Sequence, residues 1–263
     1  MFSLFTSSKS GTGTDFGEQL INKVATQSIR HLFTESEAVD VQIRCHPPSK
    51  LLQGSIDSFQ MSGRNLLIRR EFHVQEMSFV ADAVAIDPAS LLSGKVGLKQ
   101  PTQAVAQVVL TEEGINRAFN AELVRNRLVN VESEALMNFS GGEPITFRDV
   151  AVELLPGNQI QINALTDLPN RQNVPIRMTA TITVERRRRI RFDSPTFNAD
   201  GIDDDVRGVS EIFTNAFADV LNEMVDLDRF DLDGVTLRLN RLETSGKNLI
   251  FSGYAQIDHF PGT

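Results

Sequence analysis

Cysteine and the polar aromatic residues are scarce in this 263-residue sequence. Cys45 is the only cysteine, so an intramolecular disulfide is excluded, and so is a zinc site built from several thiolates. Tryptophan is absent and tyrosine occurs once, whereas phenylalanine occurs 17 times. Because phenylalanine carries no hydrogen-bonding group, this composition favours a strongly apolar interior.

Long apolar runs and a net positive charge are also missing. No segment approaches the roughly 20 apolar residues of a membrane-spanning helix. Residues 1–14 contain no apolar run typical of a signal peptide, so we expect a cytoplasmic protein. The formal net charge of -8 argues against nucleic acid as a partner, because nonspecific nucleic-acid binding needs a basic surface.

Patterns typical of catalysis and metal binding do not occur. HExxH and GxSxG are absent, and the histidines are scattered along the chain at His31, His46, His73 and His259. The aspartate-rich segment 225–234 is similar to a calcium loop, but aligning Gly234 with the loop glycine places Arg229 at the first ligand position. We read this segment as a helix end with solvated carboxylates, and we predict no catalytic residue, no metal and no cofactor.

The most regular helical pattern lies at residues 203–227. Its apolar residues recur at spacings of three and four, which predicts one broad apolar face. Three aspartates at the start favour a helix N-terminus there. The apolar positions are Val209, Ile212, Phe213, Ala216, Phe217, Val220 and Met224. A second long helix is predicted from Asp15, where Asp15 and Glu18 form a capping box.

Most of the remaining chain alternates between apolar and polar residues, as β-strands do. The order is a helix, many strands joined by short turns with one short helical break, a second helix and a final hairpin. Such an order predicts an antiparallel α+β fold. We expect residues 1–14 to be a flexible tail and residues 15–263 to form a single elongated domain.

The sharpest charge feature is a run of four arginines at a predicted hairpin tip, formed by Arg186, Arg187, Arg188 and Arg189. Four guanidinium groups on a projecting tip suit contact with an anionic membrane surface or lipid headgroups. Alternatively, the arginines pair with some of the 34 acidic residues on a soluble tip. Nucleic acid is the weaker third reading, because no aromatic residues interleave the arginines.

The apolar faces are open to two interpretations. A stripe rich in phenylalanine and methionine on a helix is usually part of a core. Several strands, however, also carry apolar residues on their second face, namely Val80, Val105, Val109 and Ile250. A curved sheet wrapped on a long helix would then enclose more apolar surface than the helix fills, which predicts an apolar groove or tunnel.

Several segments resemble the LmeA-type phospholipid-binding family of bacteria, in its cyanobacterial branch. They are SKLLQGSIDSF, LTEEGINRAFN, the VPIRM strand and the ending MVDLDRFDLDGVTLRLNRLETSGKNLIFSGYA, and the resemblance spans residues 15–260. It implies a fold similar to tubular lipid-binding domains, in which a curved antiparallel sheet wraps long helices around an elongated apolar cavity. It also implies binding of phospholipid without catalysis. Family members in other bacteria look exported, so for this chain we expect peripheral attachment to an inner or thylakoid membrane.

We therefore predict noncatalytic binding or transfer of a phospholipid or another acyl lipid. The acyl chains would contact Val209, Phe213, Phe217, Val220 and Met224, and the headgroup or membrane would contact the four arginines. The alternative is a structural or assembly protein that docks on a membrane-associated complex. An esterase or phospholipase would need an acid, a base and a nucleophile together, and the sequence has no such set.

Overall fold

Antiparallel β-sheet dominates the computed structural model, with 55% of residues in strands and 25% in helices. The structure describes residues 15–47, 49–92, 97–132, 136–137, 140–168, 171–229 and 234–259. The predicted tail at 1–14 lies outside these residues. The assignment of residues 15–263 to a single domain stays a prediction.

The helices are short except for the first and the last. Helix α4 begins after Thr111, whose side chain caps the helix by accepting a hydrogen bond of 2.9 Å from the backbone N–H of Gly114. The bounds are α1 Asp15–Arg30, α2 Ser49–Leu52, α3 Pro88–Leu92, α4 Glu112–Asn120, α5 Glu122–Arg125 and α6 Asp204–Met224, followed by a 3₁₀ turn at Leu227–Arg229.

The larger sheet has the strand order β1-β2-β3-β5-β11-β10, with the short β4 paired to β3. All of its pairs are antiparallel. Its strands are β1 Glu35–Arg44, β2 Ser55–Ile68, β3 Phe72–Asp87, β4 Gly97–Leu98, β5 Thr102–Thr111, β10 Val235–Ser245 and β11 Asn248–Ile257. The final hairpin of the chain thus extends this sheet, because β11 pairs with β5 and β10 forms the edge beyond it.

The smaller sheet is a four-stranded antiparallel meander, β6-β7-β8-β9, made of consecutive hairpins. Its strands are β6 Phe147–Leu155, β7 Gln159–Leu168, β8 Arg171–Glu185 and β9 Arg189–Phe197. The first turn contains Gly157 and Asn158, both at positive φ. Glycine and asparagine are the residues that turns with positive φ favour.

Helix α6 packs on one face of the smaller sheet, against β8 and β9. Its side chains Phe213, Phe217 and Leu221 are fully buried there, and the Phe217 ring lies 4.6 Å from the Phe147 ring, centroid to centroid. Helix α1 packs separately against β1 of the larger sheet. Each long helix therefore covers part of one sheet face.

The predicted fold of long helices wrapped by one curved sheet around an apolar groove or tunnel is wrong. The strands form two separate sheets, and α6 lies on the surface of one of them instead of running inside a sheet. The reason is strand pairing: among the described residues, the four strands from 147 to 197 pair with one another through local hairpins and with no strand of the larger sheet. Alternating apolar residues reveal a strand but not the sheet that the strand joins.

The core next to α1 holds Cys45 among the inner residues of the larger sheet. The Cys45 Sγ atom lies 3.3 Å from the Ser55 carbonyl oxygen, in a buried position. Cys45 therefore occupies the core in the manner of a small apolar residue.

Candidate functional site

The arginine run forms the turn between β8 and β9, as the sequence predicts. Arg186 and Arg187 both have positive φ, and the Arg188 N–H donates a hydrogen bond of 3.1 Å to the Glu185 carbonyl, as in a type I′ turn. Asparagine and glycine are the usual residues at those two central positions, because other side chains raise the energy of a left-handed backbone. The turn therefore places arginines where backbone preference alone would not.

Three backbone hydrogen bonds hold this turn to neighbouring elements. The Ile190 N–H donates to the Val225 carbonyl at 3.1 Å, just after the end of α6. The Arg188 carbonyl accepts from the Leu227 N–H at 2.9 Å, and the Arg187 carbonyl accepts from the Leu239 N–H of β10 at 2.7 Å. The arginine turn is thus fixed at the junction of α6, the smaller sheet and the edge strand of the larger sheet.

Two of the four arginines are engaged in ion pairs. Arg189 Nε lies 2.8 Å from the Asp226 carboxylate, and Arg188 Nη1 lies 2.5 Å from Asp228 Oδ2. Arg238 of β10 also contacts Asp228, at 2.6 Å. For these arginines the geometry matches the alternative reading of a salt-bridged tip.

Asp226 is buried, so the prediction of solvated carboxylates in this segment is wrong for that residue. Burial raises the pKa of Asp226, but the hydrogen bonds from Arg189 and from the Asp228 N–H, with the charges of Arg188 and Arg189, outweigh it and hold the pKa below its ordinary value. Hydrogen bonds from Arg188 and Arg238 likewise lower the pKa of Asp228. Residues 230–233 of the same segment lie outside the described residues.

The other two arginines, Arg186 and Arg187, are exposed. Within the described part of the chain neither forms an ion pair with a carboxylate. The Arg187 guanidinium lies over the Tyr254 ring, 5.7 Å from its centroid, at the distance of a cation–π contact. These two side chains are the ones available for an anionic ligand.

Helix α6 carries two adjacent apolar stripes instead of one. The first contains Phe213, Phe217 and Met224 and is buried against the smaller sheet. The second lies beside it and is only partly buried. It consists of Val209, Ile212, Ala216 and Val220, spaced by three, four and four residues. Ile212 is the most exposed of the four, with 38% of its surface accessible to solvent. We call this second set the flank stripe.

The structure therefore divides the five predicted lipid contacts. Val209 and Val220 belong to the flank stripe, whereas Phe213, Phe217 and Met224 lie in the packed core. The C-terminal end of α6 adjoins the arginine turn through the bond between Ile190 and Val225. The predicted apolar and basic residues thus meet at one end of the helix, and their contact with a lipid stays a prediction.

A second surface lies on the larger sheet, on the face that points away from the core at α1; we call it the outer face. Val80, Val105 and Tyr254 are 41%, 55% and 43% exposed there and are direct cross-strand neighbours on β3, β5 and β11. Beside them the outer face forms an open cavity of about 440 Å³. Its lining includes Asp40, Ser62, Arg64, Glu76, Ser78 and Gln107.

Sequence reasoning found part of this surface and missed the rest. Val80 and Val105 stand out in the sequence as apolar residues on the second face of their strands. Tyr254 does not, because a tyrosine at a polar position of an alternating strand is unremarkable. Only the pairing of β5 with β11 and of β5 with β3 brings the three together.

In the residues that the structure describes, no helix is both long enough and apolar enough to cross a membrane.

Comparison with known proteins identifies a family but gives no individual relative. The family model described as LmeA-like phospholipid-binding matches residues 12–253. No curated protein and no solved structure gives a match. The family match covers most of the 263 residues, including the smaller sheet, α6, the arginine turn and all of the larger sheet except the last four residues of β11. The chain therefore belongs to the LmeA-like phospholipid-binding family.

Proposed function

We propose that this chain binds one phospholipid or another acyl lipid without catalysis, with the headgroup at Arg186 and Arg187 and an acyl chain along the flank stripe. The observation that carries the proposal is the position of the flank stripe, which runs along α6 to the helix end where the arginine turn is fixed. The family match supports lipid as the ligand.

The flank stripe has a suitable length for an acyl chain. Val209 and Val220 are about 16 Å apart along the helix axis, at 1.5 Å per residue. Each acyl methylene removed from water contributes about 0.8 kcal/mol, so partial burial of one chain gives useful affinity without any polar contact. The partly exposed Ile212 and Ala216 lie between the two ends. These four residues form the proposed acyl-chain contact.

The buried stripe forms the floor beneath this contact. Phe213, Phe217 and Met224 are packed against the smaller sheet, so an acyl chain reaches them only if α6 separates from β8 and β9. Such separation exposes apolar surface that is now buried, and we therefore propose the flank stripe as the first contact. The deeper residues are the proposed site for a chain that enters further.

The two unpaired arginines provide the charge for the headgroup. A phosphate accepts hydrogen bonds from guanidinium groups readily, and each basic residue near an anionic lipid surface contributes about 1 kcal/mol. Arg188 and Arg189 already bind carboxylates, and in the proposal they hold the turn in place instead of meeting lipid. Contact with an anionic membrane and transfer of lipid between membranes are part of the same proposal. The surface of an inner or thylakoid membrane remains the predicted location.

A titration with a phospholipid carrying a fluorescent acyl chain tests the proposal. We expect saturable binding of one lipid per chain, similar binding of a lysophospholipid because the flank stripe takes a single acyl chain, and no release of fatty acid over time. Absence of saturable binding, combined with stable protein partners in pull-downs, would instead favour an assembly protein on a membrane-associated complex. Release of fatty acid would refute the claim that the chain binds lipid without catalysis.

A further inference from the structure

The outer face of the larger sheet has an uncharged centre. Strands β5 and β11, TQAVAQVVLT and NLIFSGYAQI, contain no charged residue, although 23% of the sequence is charged. Their outer side chains are short or amide-bearing, apart from Val105, Tyr254, the buried Val109 and the partly buried Ile250. Val80 extends the row by one strand, so three apolar or aromatic side chains project side by side.

One side of this centre is basic. Arg187 lies over Tyr254, and Arg238, which is paired with Asp228, is the cross-strand partner of Tyr254 on β10. Arg186 is the exposed neighbour of Arg187 in the turn. A positive border is unusual on a chain with a formal net charge of -8. The other side of the face carries acidic groups, among them Asp82 and Glu76 on β3.

We infer that the outer face docks on an anionic phospholipid surface through the β5, β11 and β10 side, with Tyr254 and Val105 at the level of the headgroups. This inference rests on the proposed lipid-binding function and adds the face that meets the membrane. Tyrosine is favoured where one end of a ring is apolar and the other is wet, as at a membrane interface.

The charge distribution decides between a membrane and a protein as the occupant. The basic border and the uncharged centre together match a surface of anionic headgroups over apolar chains. Asp82 and Glu76 oppose such a surface, which confines the contact to the basic side and tilts the sheet. The acyl-chain contact on α6 includes neither Val105 nor Tyr254, so a substitution at Val105 tests docking separately from lipid uptake, although Arg186 and Arg187 belong to both proposals.

The composition of the chain provides an intrinsic probe for the test. Tyr254 is the only tyrosine and tryptophan is absent, so tyrosine emission reports on this face alone. With vesicles that contain brominated phosphatidylglycerol, we expect quenching of Tyr254 emission. With vesicles of brominated phosphatidylcholine, which have no net charge, we expect no quenching. Vesicle binding without this quenching would overturn the docking face, and failure to bind anionic vesicles would overturn docking itself.

Two substitutions with opposite expected effects on vesicle binding complete the test. Val105→Asp places a charge in the centre and should abolish cosedimentation with anionic vesicles. Asp82→Lys replaces an opposing charge with a basic one and should raise the affinity for anionic vesicles about fivefold. Misfolding cannot produce such a gain. Glu143→Lys makes the same charge change at an exposed loop beside the smaller sheet and should have a much smaller effect. Equal effects of the two lysine variants would show that vesicle binding depends on net charge alone, and would refute a local contact at the outer face.

The outcomes separate this inference from the proposed function. If Val105→Asp loses vesicle binding but keeps binding of the fluorescent phospholipid, both statements stand. If the wild type binds the fluorescent lipid but not vesicles, only docking fails. If Tyr254 emission becomes shielded from a water-soluble quencher as the protein concentration rises without vesicles, the outer face joins a second copy of the chain. Docking of this face on membranes is then refuted.

Discussion

The four consecutive arginines differ in what they contact, although the sequence presents them as one run. Arg188 and Arg189 bind Asp228 and Asp226, whereas Arg186 and Arg187 project from the turn. Sequence analysis left a lipid-facing tip and a salt-bridged tip as equal alternatives. The geometry assigns the salt-bridged arrangement to one pair, and the partners could not be found from sequence because Asp226 looks like a solvated acid.

Matched double substitutions exploit this division. Arg186→Gln with Arg187→Gln should weaken binding to anionic vesicles about tenfold or more, since two basic contacts are removed, while leaving the free energy of unfolding nearly unchanged. Arg188→Gln with Arg189→Gln removes the same charge but should lower the free energy of unfolding, because Asp226 is then buried without its partners. Vesicle cosedimentation and urea denaturation distinguish the pairs. Equal loss of binding with equal stability would contradict the assignment.

Asp226 is predicted to be the most important carboxylate for stability in this region. It is buried and accepts hydrogen bonds from Arg189 and from the Asp228 N–H. Asp226→Asn should lower the free energy of unfolding by about 2 kcal/mol, the range for hydrogen bonds to charged groups. Asp219→Asn, on the exposed side of α6, is the control and should change it by less than about 0.5 kcal/mol. Urea denaturation at neutral pH measures both.

The contribution of Asp226 should depend on pH in one direction. Because its pKa in the folded state lies below the ordinary value of 3.8, its stabilisation is complete above that value and is lost as the pH falls through the lowered pKa. The difference in unfolding free energy between wild type and Asp226→Asn should therefore shrink in strong acid. A difference that grows on acidification would contradict the lowered pKa.

At the scale of the element, α6 is the part of the fold that the sequence predicts best. Residues 203–227 are predicted as a helix with one broad apolar face, and the helix spans Asp204–Met224. The division of that face into a buried stripe and a flank stripe was not predictable, because spacings of three and four describe both stripes equally well. Burial depends on the width of the sheet surface beneath the helix, which is a tertiary property.

The flank stripe makes a prediction that separates lipid binding from folding. Ile212→Gln should reduce binding of the fluorescent phospholipid severalfold, because it places a polar group in the middle of the proposed acyl contact. Stability should change little at a position that is already 38% exposed. Glu211→Gln, one position away and off the stripe, should bind lipid normally. Normal binding by the Ile212 variant would contradict the proposed contact.

The buried stripe should behave in the opposite way. Phe217 is fully buried and its ring packs against Phe147, so Phe217→Ala leaves a cavity and should lower the free energy of unfolding by about 3–5 kcal/mol. Thermal or urea denaturation measures this loss. A small loss would indicate that the site already contains space, in which case Phe213 and Phe217 would become the better candidates for direct lipid contact.

For the whole molecule, the sequence predicts the antiparallel α+β character but not the arrangement of its layers. Individual strands follow from alternation, as at β1 and β8, where apolar side chains at every second position are buried. The split into two sheets depends on which hairpins pair with each other, and β11 joins β5 across more than 130 residues of sequence. A long-range pairing of this kind leaves no periodic trace. The expected wrapping of one curved sheet around long helices came from the apolar second faces and from the family resemblance, and the division of the strands into two sheets corrects it.

The family match and the two proposed surfaces make one account at this scale. In the two proposals, the larger sheet would meet the membrane and α6 with the arginine turn would hold the lipid. Arg186 and Arg187 would then serve both surfaces, since Arg187 lies over Tyr254 of the larger sheet and the turn is bonded to the end of α6. Overall negative charge then keeps the rest of the chain away from an anionic membrane, which orients the molecule.

Native mass spectrometry of the purified chain tests the central claim, phospholipid binding, most directly. For the wild type, the account predicts a species heavier than the bare chain by the mass of one phospholipid, and its abundance should rise when phospholipid is added. The same species should be less abundant in Ile212→Gln. A chain that carries no lipid mass after purification and takes up none when phospholipid is supplied would contradict it.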